Sequence, residues 1–101
     1  AKGLAMTGRL FDATEAAELG LITSAVPGDG LDDEVDDVLD TLGEKPTETL
    51  ALTKRAFREN LGRPLGEALE REAYLQAIAY GTDAHEEGVR AFLEDRRPEF
   101  E

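Results

Sequence analysis

The 101-residue sequence contains no cysteine and no tryptophan, and it carries one histidine and six aromatics in all, counted as Phe and Tyr. Without cysteine there are no disulfides and no thiolate metal sites, and the chain is suited to a reducing compartment. No apolar run is long enough to suggest a membrane span, and nothing at the N-terminus reads as a secretory leader, so the cytoplasm is the expected location. Lysine is also scarce: Lys2, Lys45 and Lys54 are the only three among 11 bases, against 23 acids, for a net charge of −12. That balance argues against nucleic acid as a partner, because no basic stripe is available to neutralise phosphates.

What is present reads as one helix-rich domain that can bury a core only if most of its helices contribute a face. Ala1 to Met6 is apolar enough to be helical and stops at Thr7-Gly8, so the start looks cut from something longer. Asp12 as N-cap, Glu15 at the third helical position and Gly20 as the left-handed stop predict a short helix from Ala13 to Leu19. Leu21 to Val26 is apolar, contains Ile22, Thr23 and Val26, and closes at Pro27-Gly28, so it reads as one short strand, for which the chain supplies no evident partner.

Leu31, Val35, Val38, Leu39 and Leu42 follow helical spacing up to Gly43. The acids on the other face, Asp32, Asp33, Asp36, Asp37 and Asp40, lack the ligand spacing and glycine turn of a calcium loop and read as a solvated face. Pro46 opens a helix through Leu50, Phe57 and Leu61 to Gly62, and Pro64 opens the longest, with Leu65, Ala68, Leu69, Leu75, Ile78 and Ala79 apolar, ending near Gly81. Glu72 lies beside that apolar set, as a side chain that snorkels to solvent, an arginine partner or a binding group.

The last helix is expected to start near Ala84 through a capping box of Asp83 and Glu86. It presents Val89, Phe92 and Leu93 as an apolar stripe, turns Glu86, Arg90, Glu94 and Arg97 outward, and is stopped by Pro98, leaving Phe100 as an isolated anchor. Gly88 inside it suggests close approach of a backbone or a ligand. The fold class is therefore mainly α, four to six helices with one short strand.

No nucleophile elbow, phosphate loop or cluster of His, Cys and acids appears. His85, in the first turn of an acidic helix, reads as an exposed helix residue. Carboxylates abound, but sequence alone selects no acid and base pair among them.

The order of short segments is more telling than any one of them. Leu4-Ala5-Met6-Thr7-Gly8, Phe11-Asp12-Ala13, Glu15-Ala16, Gly20-Leu21-Ile22 and Val26-Pro27 come first; Pro46, Lys54, Glu72, Thr82-Asp83, Glu87-Gly88, Ala91-Phe92-Leu93-Glu94, Arg96 and Pro98-Glu99-Phe100 follow. Together they resemble the C-terminal part of the crotonase superfamily, the enoyl-CoA hydratases and isomerases. The resemblance implies that residues 1–30 are the end of the crotonase core (helix, strand, turn) and residues 31–101 the C-terminal helical region that drives oligomer assembly and covers the CoA site.

By the same resemblance the oxyanion amides and catalytic acids belong to an N-terminal core domain missing here, which would also hold the partner of the lone strand. The parent would be an enzyme and this segment alone inactive, with no catalytic residue, no metal and no cofactor; coenzyme A thioester enters as substrate. Tyr80, eight residues before Gly88, matches an aromatic that lines the acyl end of the site in relatives, and Phe92 matches a ring that contacts the CoA adenine. Each can equally be an ordinary packing residue. Many relatives carry a lysine where this chain has Asp95, so the phosphate contact passes to Arg96 or Arg97, unless these pair with Glu94 or Glu99.

The partners implied are further copies of the chain (trimer or hexamer), the missing core domain and acyl-CoA. Two rivals stay open. One is a stand-alone helical module that binds copies of itself or a partner without chemistry; the other is a dihydroxynaphthoyl-CoA synthase-like member, suggested by Tyr80. The charge balance resembles that of halophilic, haloarchaeal-like proteins, in which concentrated salt screens the self-repulsion, as against an ordinary acidic protein.

Overall fold

Six α-helices and no strand are formed among residues 1–100, the part of the chain described by the structure, a computed structural model. The chain divides into two units, Ala1–Val38 and the residues from Leu39 onward. Among the described residues no helix is long and apolar enough to cross a membrane.

In the first unit, α1 (Lys2–Thr7) ends at Gly8, whose φ of 63° is left-handed and whose amide donates back to the Leu4 carbonyl. α2 (Ala13–Glu18) starts as expected: the Asp12 side chain accepts from the Glu15 amide at 2.9 Å. The second half of the expected box is spent elsewhere, because the Glu15 carboxylate takes the Arg9 guanidinium instead. Leu19, Gly20 and Leu21 then reverse the chain, with Gly20 at φ 75° and the Leu21 amide donating to the Ala16 carbonyl at 2.9 Å. This double-bonded C-terminal turn needs φ > 0 at its centre, which glycine adopts without a Cβ clash.

The strand expected over Leu21 to Val26 is not formed. Residues 21–27 are bends and irregular backbone leading to a single 3-10 turn at Gly28–Gly30. The reason is elementary: a strand is completed by a neighbour's amides and carbonyls, and among the described residues no other segment forms a strand to supply them. α3 (Leu31–Gly43) follows, its acidic face solvated, and Ser24 Oγ donates to Glu34 Oε1 at 2.7 Å to tie the irregular stretch to its first turn.

The second unit is built on α4 (Thr47–Asn60), α5 (Leu65–Tyr80) and α6 (Asp83–Leu93), with α5 packed against both others. Pro46 and Pro64 sit one residue earlier than expected, at the N-cap positions, where their extended ψ feeds the chain into the helix. The sheltered faces combine a few leucines with small residues and paired charges: Leu50, Leu52, Ala56, Glu59 and Asn60 on α4, Ala68, Arg71, Leu75 and Ala79 on α5, and Ala84, Glu87, Gly88 and Ala91 on α6. Leu75, at 4% exposure, is the one large apolar side chain that is fully enclosed among the described residues.

The large apolar groups point the other way. Phe57, Leu61, Leu65 and Leu69 on α4, α5 and the turn between them stand 60–88% exposed. The stripe expected to bury α6 is exposed too, with Phe92 at 85% and Leu93 at 77%. The periodicity was helical, as expected, but the inward side is the small-residue set one step round the helix.

Candidate functional site

The three site residues that the resemblance implies, Tyr80, Phe92 and Arg96, lie at the end of α5, on α6 and on the segment after it. Tyr80 is the last residue of α5. Gly81 and Thr82 make the corner, and Thr82 rather than Asp83 caps α6: its Oγ1 accepts from the His85 amide at 3.2 Å and donates to the Ala79 carbonyl at 2.7 Å. One hydroxyl thus adds a second bond to a terminal carbonyl of one helix and to a first-turn amide of the next, beside the backbone bonds that each already makes. Asp83 and Glu86, expected as the box, sit in the first turn, where their charges face the positive end of the helix.

At this corner the Tyr80 and His85 rings meet edge to face, centroids 4.8 Å apart and planes inclined 61°. Both side chains line a concave surface of about 500 Å³ together with Val89, Arg90 and Leu93. His85 is the exposed helix residue expected from sequence, and it has a specific neighbour. Its offset of five from Tyr80 across a helix break carries no helical periodicity, so no sequence pattern could have flagged the pair.

Phe92 lies on another side of α6. It lines neither that concavity nor a second one of about 460 Å³ formed by Pro46, Thr47, Glu87, Arg90, Glu99 and Phe100, among others. The structure does not bring Tyr80 and Phe92 into one cavity of this chain. With 85% of its surface open, Phe92 is not packed into the core of the described part of its unit.

Arg96 is engaged by carboxylates. Its Nη1 and Nη2 donate to the two oxygens of Glu87 at 2.6 and 3.1 Å, and its Nε donates to Glu94 at 2.6 Å. Glu87 also accepts the Glu99 amide at 3.0 Å, while Arg90 approaches to 3.9 Å. The Glu87 side chain is only 18% exposed. The Arg96 guanidinium, then the Glu99 amide, hold its carboxyl down to about 2, and the guanidinium itself is pushed up by Glu87 and Glu94. The fork-to-fork geometry is the strongest an arginine offers a carboxylate. It pins the segment after α6 to the helix.

That segment leaves the helix before Pro98. Asp95 takes a left-handed φ of 51°, and the Arg96 amide donates to the Ala91 carbonyl at 3.0 Å. The helix therefore ends by its own C-terminal turn, and proline comes after the fact. Phe100, the expected anchor, is half-buried beside Pro46 and Thr47. Gly88 does not mark close approach within this chain, since a Cβ there meets nothing within 4 Å.

A second carboxylate centre lies between α4 and α5. Glu59 accepts from Arg55 Nε at 2.7 Å and from Arg71 Nε, and these, Arg71 first, lower its carboxyl to about 2. Arg71 also stands 5.6 Å from the Tyr74 ring centroid. Glu72 accepts from Asn60 Nδ2 at 3.1 Å, so its partner is an amide and not an arginine. Among the described residues no group of three or more His, Asp or Glu side chains is arranged to hold a metal ion.

Comparison with known proteins agrees with this architecture. The family model for enoyl-CoA hydratase/isomerase matches residues 1–101. The probable enoyl-CoA hydratase of Mycobacterium tuberculosis is 34% identical over 100 residues, covering 99% of this chain and 39% of that protein. The corresponding protein of Rhodobacter capsulatus is 37% identical over 100 residues, again 99% of this chain and 39% of that one. Among solved structures, enoyl-CoA hydratase of Mycobacterium smegmatis superposes with a TM-score of 0.85 at 32% identity, covering 93% of this chain and 37% of that one. The chain thus spans about two fifths of the length of the curated relatives it matches. Its mainly helical fold is the one expected, and its structural neighbours have the crotonase fold. A family match over residues 1–101, with a superposition that covers 93% of the chain, means that the chain belongs to the enoyl-CoA hydratase/isomerase family.

Proposed function

We propose that the chain is the C-terminal part of a crotonase-type acyl-CoA enzyme, with residues 1–30 closing the core and residues 31–101 supplying contacts between copies and one wall of the acyl-CoA pocket. The observation that carries this is the arrangement of the second unit, with Ala and Gly faces inside and Phe57, Leu61, Leu65, Leu69, Phe92 and Leu93 outside. An apolar surface of that extent on so small a body is characteristic of a covered interface or binding groove. The relatives' greater length supplies room for the groups that such chemistry needs: amides aimed at the thioester oxygen and a carboxylate for the adjacent carbon.

In this reading Tyr80 borders the acyl end of the pocket and Phe92 offers a flat apolar face to the adenine of coenzyme A. Arg96 acts through position: with two carboxylates already on its guanidinium, it holds the post-helical segment in place and is not an open phosphate contact. The high acidity fits a protein whose association is favoured in concentrated salt, where charges of like sign are screened.

A chimera tests the assignment: this chain replaces the matching residues of the Rhodobacter capsulatus relative, and hydration of a short enoyl-CoA is followed beside sedimentation at low and molar salt. The expected result is an active oligomer whose KM rises when Phe92 becomes serine. A chimera that folds yet is monomeric at both salt concentrations, with KM indifferent to Phe92, overturns the reading.

A further inference from the structure

The corner between α5 and α6 holds an aromatic pair whose exposure is out of keeping with a packing role. Tyr80 is 60% exposed and His85 is exposed as well, yet their rings stand 4.8 Å apart at 61°. An exposed tyrosine at a helix end ordinarily samples several χ1 rotamers, because nothing on either side excludes them. Here the neighbour is supplied by the chain itself, and its backbone is held in turn: Thr82 fixes the His85 amide at 3.2 Å and the Ala79 carbonyl at 2.7 Å. Helix end, cap and imidazole thus form a continuous support reaching the tyrosine ring, which borders the concave surface of about 500 Å³.

We propose that His85 is a positioning residue for Tyr80, its ring packed edge to face on the tyrosine so that the phenol is held in one orientation at the border of the acyl-binding concavity. The role of Tyr80 rests on the function proposed above; the ring contact does not. His85 touches no reacting atom in this scheme. It acts by narrowing what Tyr80 can do, so the acyl group meets a fixed wall, and less freedom is lost on binding.

The experiment reads Tyr80 directly. Side-chain NMR couplings give its χ1 populations in the full chain for wild type, His85→Ala and His85→Phe. Edge-to-face pairing of the usual strength corresponds to roughly a two- to tenfold change in rotamer ratio. One dominant rotamer is expected in wild type, averaging in His85→Ala, and recovery in His85→Phe, which keeps a ring but no imidazole nitrogen. A merely structural role for His85 would show as a lower Tm with Tyr80 unchanged, and an unchanged Tyr80 in His85→Ala overturns the proposal. In the chimera, His85→Ala is expected to raise KM for the enoyl-CoA more than it lowers kcat. Averaged Tyr80 rotamers without any change in KM keep the positioning role and overturn instead the placement of Tyr80 at the acyl site.

Discussion

Leu75 is the residue whose removal separates the small enclosed core from the large exposed surface. At 4% exposure on the helix packed against both of its neighbours, it is the only large apolar side chain buried among the described residues of its unit. Burying a leucine contributes about 1.5–3 kcal/mol by transfer, and Leu→Ala in a core costs about 2–5 kcal/mol once the cavity is included. The faces around it are rich in alanine and glycine and can settle inward, which places Leu75→Ala near the lower end, at about 2–3 kcal/mol. For a domain of this size each kcal/mol shifts Tm by about 4–8 °C, so a fall of about 10–20 °C is expected.

Leu61→Ala is the control, since Leu61 is 88% exposed and its loss should stay within about 0.5 kcal/mol. Thermal and urea unfolding by circular dichroism, at several protein concentrations, measure both. Equal effects of the two substitutions in a concentration-independent transition would refute the division into an inner small-residue face and an outer apolar one. A Leu61→Ala cost that grows with concentration would instead reveal copies covering that face.

Three further outcomes follow from local geometry. Asp95→Gly should stabilise by about 0.5–1 kcal/mol, because a left-handed φ of 51° strains any residue with a Cβ; denaturant melts check it, and a loss would mean that the aspartate side chain offsets the strain. Thr82→Ala should cost about 1 kcal/mol and fray the start of α6, seen as faster amide exchange at His85. For pH, Glu59 and Glu87 have carboxyls lowered from 4.5 to about 2 in the folded chain, so their contribution is complete above about 4.5 and is lost as pH falls toward 2. A Glu59→Gln, Glu87→Gln double variant should therefore melt below wild type at pH 7 and converge with it toward pH 2, whereas a constant gap would contradict the ion-pair assignment.

What could be read beforehand was whatever depends on neighbours within four residues. Asp12 as a cap, Gly8 and Gly20 as left-handed stops, and helices over residues 31–43 and 47–60 all follow from local hydrogen bonding and Cβ sterics. The choice between Thr82 and Asp83 as cap was closer, since both side chains can accept and only the backbone's turn from α5 decides.

Facing was not legible, and α6 shows why. A stripe of Val89, Phe92 and Leu93 and a stripe of Ala84, Gly88 and Ala91 are both helical in period, and hydrophobicity alone favours the first. The sheltered side is the second. Small faces let helix axes approach closely, and paired charges such as Arg96 with Glu87 and Arg71 with Glu59 fill the margins that leucines would otherwise occupy. A sequence whose largest apolar groups lie on the outer side of the unit misleads a rule that sends the greasiest stripe to the nearest core. The same misdirection is informative: Phe57, Leu61, Phe92 and Leu93 are exposed together, and it is on their shared exposure, rather than on any one ring, that the proposal of an assembly and binding surface rests.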